Sequence, residues 1–98
     1  MRNILESQKG KQKAVYRLEI NHVAHRQILR LPWQTQERVN RAIARLAENP
    51  RPSGVKKLTN MNGCRVRVGD YRILYQIDDE ARVVIIYRVM SRGDVYRN

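Results

Sequence analysis

The chain has 98 residues, enough for one domain with a genuine core and too few for a second lobe. Its 42% hydrophobic and 30% charged residues exclude a disordered polymer, and its single cysteine, Cys64, excludes an internal disulfide. Lys plus Arg number 20 against 9 Asp plus Glu, a net charge of +11, so a polyanion or a strongly acidic protein is the natural partner; charge alone does not choose between them.

Residues 1–14 carry Arg2, Lys9, Lys11 and Lys13 without an apolar period and read as a mobile basic extension preceding a single domain over residues 15–98. They hold no apolar stretch of signal-peptide length, and nowhere do eighteen apolar residues run together, so a cytoplasmic protein without membrane contact is expected. Residues 15–20 alternate, with Tyr16, Leu18 and Ile20 on one face, which predicts a half-buried strand. Asn21 can cap a helix whose inner stripe is Ala24, Ile28 and Leu31, and Pro32 closes it and opens the next. From Trp33 to Glu48 the apolar residues Val39, Ala42, Ile43, Leu46 and Ala47 recur at helical spacing, with Arg38, Arg41 and Arg45 on the opposite face. Asn49-Pro50 ends that helix, and residues 55–63 read as a loop. Three strands follow over residues 64–68, 71–78 and 82–90, joined by Gly69-Asp70 and by an acidic turn over 78–81. The order β-α-α-β-β-β predicts an α+β domain: a helical hairpin packed on a small, twisted, mainly antiparallel sheet.

Few residues carry chemistry. There is no P-loop, no G-x-S-x-G and no H-E-x-x-H, and Cys64 has no cysteine or histidine neighbours at zinc-ligand spacing, so no metal or cofactor is expected. His22 and His25 border a solvated helix face with no third group and read as surface residues. The informative stretch is CRVRVGDYRILY at 64–75. Strand alternation puts Arg65 and Arg67 on one face with Val66 and Val68 on the other, and a hairpin brings Arg72 onto the neighbouring strand. The last strand leads on to Arg92 and Tyr96. By pattern alone, outward arginines paired with acids such as Asp70 or Asp94 explain this as well as a binding site does.

KKL at 56–58, RVRVGDYRILYQIDD at 65–79 and VVIIYRVMSRGDVYR at 83–97 resemble the RelE/ParE toxin superfamily, and its RelE branch in particular. The resemblance covers residues 15–97. It implies the toxin of a type II toxin-antitoxin pair: an mRNA interferase, an endoribonuclease that enters the ribosomal A site, cuts the codon there and so inhibits translation. The family's basic pair falls on Arg65 and Arg67, the arginine of its Y-R motif on Arg72, its late arginine on Arg92 and its C-terminal tyrosine on Tyr96. Cleavage without metal proceeds by attack of a ribose 2′-hydroxyl on the adjacent phosphate, for which arginine supplies charge stabilisation but, holding its proton firmly at working pH, a poor general base. The resemblance further implies an acidic cognate antitoxin, the ribosome and mRNA as partners, and operator DNA reached only through the antitoxin complex. The ParE branch implies DNA gyrase inhibition instead, and a non-catalytic RNA- or ribosome-binding module would serve the charge equally well.

Overall fold

The computed structural model describes residues 15–58 and 63–91. Its elements are β1 (Arg17–Ile20), α1 (His22–Leu29), α2 (Trp33–Glu48), β2 (Lys56–Lys57), β3 (Cys64–Val68), β4 (Tyr71–Asp78) and β5 (Val83–Ser91). The strands form one sheet in the order β1-β5-β4-β3-β2. All neighbours are antiparallel except β1 and β5, which run parallel. This is the expected α+β arrangement, with two helices on one face of the sheet.

Both helices follow from their stripes. The Asn21 side chain caps α1 by accepting from the Ala24 N–H at 2.9 Å, and Ala24 and Ile28 are buried. In α2, Val39, Ile43, Leu46 and Ala47 are buried, as their spacing requires. These side chains meet Ile73, Tyr75, Val84, Ile86 and Val89 from β4 and β5. Two side-chain bonds fix the hairpin on the sheet. Gln27 Oε1 accepts from the Val89 N–H at 2.7 Å, and the Tyr75 hydroxyl, fully buried, donates to the Pro50 carbonyl at 2.6 Å.

The sequence reading departs from the structure at four places. Val15 and Tyr16 lie outside β1 because both donate their N–H groups to the Ala47 carbonyl, at 3.0 and 3.1 Å, instead of joining the sheet. Ile20, read as inward, is 39% exposed. Residues 56 and 57, read as loop, make a two-residue edge strand on β3. Arg82 belongs to the turn before β5, where its φ of 58° is incompatible with a strand. The extension over 1–14 lies outside the described residues.

A register shift between Leu74 and Tyr75 is the least predictable feature. Tyr75 pairs with Ile86 but Leu74 with Arg88, which leaves Tyr87 as an extra residue on β5. The bulge switches the alternation of β5, so that Val84, Ile86 and Val89 all face the helices although simple period 2 would send Val89 outward.

At the far end, Asp79 accepts from Arg51 at 3.2 and 2.9 Å and from the Tyr16 hydroxyl at 2.7 Å, while Arg82 lies 5.4 Å from the Tyr16 ring centroid. The hydrogen bonds from Arg51, and then from Tyr16, hold the Asp79 carboxyl below the usual carboxylate range. A lowered folded-state pKa contributes stability that is complete above the unfolded value of ~3.9 and is lost as pH falls through the folded one. Asp79→Asn should therefore lower the melting temperature at neutral pH and leave it nearly unchanged at strongly acid pH, which flattens the acid side of a plot of melting temperature against pH. Tyr75→Phe should cost about 1–3 kcal/mol in urea unfolding, since it strands the buried Pro50 carbonyl without changing the packing shape.

Candidate phosphate-binding site

The β3–β4 hairpin sets the site. Gly69 has a φ of 58°, and Asp70 does not share the positive sign, the pattern of a two-residue type II′ turn. The turn fixes Val68 opposite Tyr71, and with it Val66 opposite Ile73 and Arg67 opposite Arg72. Residues directly opposite one another point to the same face of a sheet. Val66 and Val68 therefore pack on the helical side, and the arginines occupy the other.

Two rows cross that face. One reads Lys56, Arg65, Leu74, Arg88 and the other Arg67, Arg72, Met90, each residue directly opposite the next. Lys56, Arg65, Arg67 and Arg72 line one cleft of about 210 Å³ together with Gly54. Among the described residues no carboxylate borders it. Among the described residues, none of Lys56, Arg65, Arg67 and Arg72 is in an ion pair, and Asp70 has none either.

Arg72 is the one buried charged residue among those described, 5% exposed. Its hydrogen bond among the described residues is a long one, 3.5 Å from Nη1 to the Tyr71 carbonyl, which leaves most of the guanidinium fork unspent. A desolvated cation without an acceptor is costly, and two like-charged pairs, Lys56–Arg65 and Arg67–Arg72, directly opposite each other across strands add repulsion. Both costs vanish when an anion with several acceptor oxygens enters the cleft.

Of the five residues singled out by sequence, the structure brings Arg65, Arg67 and Arg72 to this cleft; Arg92 and Tyr96 lie outside the described residues. Sequence reasoning missed Lys56 and Gly54 in the lining and Arg88 at the end of a row. The signal for Lys56 was available in its charge, but a two-residue strand has no period to reveal its face. Cys64 faces the other way, into a cleft with Arg51, Val55, Lys57, Gly63 and Ile77. His22 and His25 are exposed on α1, on the helical side. Among the described residues no group of three His, Cys, Asp or Glu could hold a metal ion, and no helix is long and apolar enough to cross a membrane.

A second groove, of about 370 Å³, runs between α2 and β3 and is lined by Arg38, Arg41, Arg45 and, again, Arg67. Arg41 pairs with Glu37 at 3.7 Å, as their i, i+4 spacing allows. The Arg38 guanidinium stacks on the hairpin turn, 3.3 Å from where a Cβ on Gly69 would stand.

A family model described as the ParE toxin of the type II toxin-antitoxin system, parDE, matches residues 18–96. This chain belongs to the RelE/ParE toxin family. Its fold is that of the RelBE2 toxin-antitoxin complex of Mycobacterium tuberculosis, with 32% identity, coverage of 79% of this chain and 98% of that one, and a TM-score of 0.70. The archaeal RelE-RelB complex of Pyrococcus horikoshii is similar at 27% identity over 81% of this chain and 97% of that one, with a TM-score of 0.73. The Toxin RelG of Mycobacterium tuberculosis is 58% identical over 31 residues, 32% of this chain, and the match spans 36% of that relative's length.

The repulsion across the hairpin has a measurable consequence. Arg67→Glu places a carboxylate opposite Arg72 and should raise stability by about 0.2–1 kcal/mol in urea. Millimolar phosphate should raise the melting temperature of the parent protein and leave that of Arg67→Glu nearly unchanged.

Proposed function

We propose that this toxin is a metal-independent endoribonuclease that cleaves mRNA in the ribosomal A site and thereby stops translation. The observation that supports the reading is the cleft with four convergent cations and, among the described residues, no carboxylate, one of the cations being a buried guanidinium whose one hydrogen bond among those residues is long. Its charge and fork geometry match a phosphodiester passing through a pentavalent transition state. Arg67 and Arg72 grip the non-bridging oxygens of the scissile phosphate, with Lys56 and Arg65 on the adjoining backbone. Arg92 and Tyr96 complete the set, Arg92 as a further phosphate ligand and Tyr96 stacking on a splayed codon base with a share in proton transfer.

Arginine side chains supply charge and hydrogen-bond donors and not a general base, so the cleft grips the phosphate without taking up the proton. Much of the acceleration then comes from holding the 2′-hydroxyl, phosphorus and leaving 5′-oxygen in line, a geometry that the ribosome supplies. Free RNA is a poor substrate for the same reason. The protein partner is an acidic antitoxin, attracted by the +11 charge; solved relatives include complexes of RelE-type toxins with their antitoxins. Operator DNA is reached through that complex.

A second reading, gyrase inhibition, is favoured by the ParE description of the matching family model. The two separate cleanly. In a purified translation system, primer extension should map discrete cuts within the reading frame of ribosome-bound message, with naked message cut far more slowly. Arg67→Ala and Arg72→Ala should each slow cutting about 10²–10³-fold with little loss of ribosome binding. Arrested supercoiling by gyrase with intact message would overturn the nuclease reading, and equal losses of binding and cutting would leave only a binding module.

A further inference from the structure

The outer face of α1 and the turn beyond it have no part in the cleft. From Asn21 to Gln36 the sequence contains no Asp or Glu. His22, His25, Arg26 and Leu29 recur at i, i+3, i+4 and i+7 and share one exposed face, opposite the buried Ala24 and Ile28. Trp33 is 67% exposed and Leu29 58%, the two largest exposures among the big apolar side chains. Arg26 and Arg30 are exposed as well and, among the described residues, have no ion pair.

This surface is held firmly. The Gln36 side-chain amide donates to the Leu29 carbonyl at 3.3 Å and to the Leu31 carbonyl at 2.9 Å, which ties the turn carrying Arg30 to the first turn of α2. The Gln27 bond to the Val89 N–H fixes the rotation of α1 on the sheet. A solvent-facing indole on a rigid turn, in a stretch that also exposes Arg26 and Arg30, with Glu37 one turn along α2 paired to Arg41 at 3.7 Å, is a stacking platform in an electropositive field.

We propose that this face binds RNA carrying an unpaired base, which stacks on Trp33 while Arg26 and Arg30 neutralise the flanking phosphates. Protein partners fit it less well, because two apolar side chains fall short of the roughly 800 Å² that a stable protein interface buries on each partner. Duplex RNA fits less well because its bases are already stacked. The helices cover the sheet face opposite the arginine cleft, so both sites can be filled at once, and this proposal does not depend on cleavage.

Trp33 is the sole tryptophan, so tryptophan emission, excited selectively over the five tyrosines, reports on this surface. Titration of the full chain with a short RNA hairpin whose loop holds unpaired adenosines should quench the emission; a fully paired duplex of matched length should quench it far less. Anisotropy of the labelled hairpin should show affinity falling about tenfold or more for Trp33→Ala, with most of it retained in Trp33→Phe. Arg26→Ala and Arg30→Ala should each make the salt dependence shallower by about 0.7 in log–log slope. Quenching should persist in Arg67→Ala and Arg72→Ala, which separates this surface from the cleft: loss of cutting with quenching intact supports both sites, and quenching in a protein that never cuts removes the nuclease reading alone. The proposal is overturned by equal quenching with the duplex, by quenching with poly-glutamate but not with the hairpin, by unchanged affinity in Trp33→Ala, or by loss of quenching in the cleft variants.

Discussion

The pairing register of the β3–β4 hairpin is the constraint on which everything else depends. Gly69 takes a backbone conformation that a side chain would strain, and the turn it makes sets Val68 against Tyr71. A slip of one residue would send Val66 and Val68 to the outer face and turn Arg65 and Arg67 into the helices. The apolar face therefore protects the polar one, because burial of the valines against Leu46 and its neighbours holds the arginines in their row.

That coupling explains how the molecule tolerates an electrostatically unfavourable surface. Like charges face each other across two strand pairs, and Arg72 is buried with one long hydrogen bond among the described residues. The cost is offset on the other side of the sheet by a continuous core and by buried hydrogen bonds that pin the helices and the Pro50 segment. The Tyr75 bond also anchors the chain just before Gly54 and Lys56, two members of the cleft wall. Local repulsion maintained by a stable scaffold is the usual condition of a site preorganised for a charged ligand.

Much of this was legible in the sequence because both helices are amphipathic and the arginines alternate with valines. The stripe of Val39, Ile43 and Leu46 could be placed by spacing alone, and period 2 put Arg65 beside Arg67. What stayed hidden was whatever long-range pairing decides. Lys56 gains its place only because a two-residue strand adds to β3; β1 is parallel to β5 because the helical hairpin carries the chain back across the sheet; and the bulge at Tyr87 lies inside an uninterrupted apolar run. The burial of Arg72 likewise follows from its neighbours on the sheet, and a one-dimensional pattern rates any arginine as exposed. The Trp33 surface stayed hidden because the spacing of the α2 stripe leaves the exposure of the residue that opens the helix undetermined.

The parallel pairing of β1 with β5 joins the first strand of the sheet to the last. During synthesis the amino-terminal half emerges first, so α1 and α2 exist with their apolar stripes uncovered until β5 has been translated. The nascent polypeptide has no complete core before β5 emerges, and a product truncated ahead of that strand cannot close one. The helical hairpin therefore waits, apolar side uncovered, on the strand that is translated last among those of the sheet.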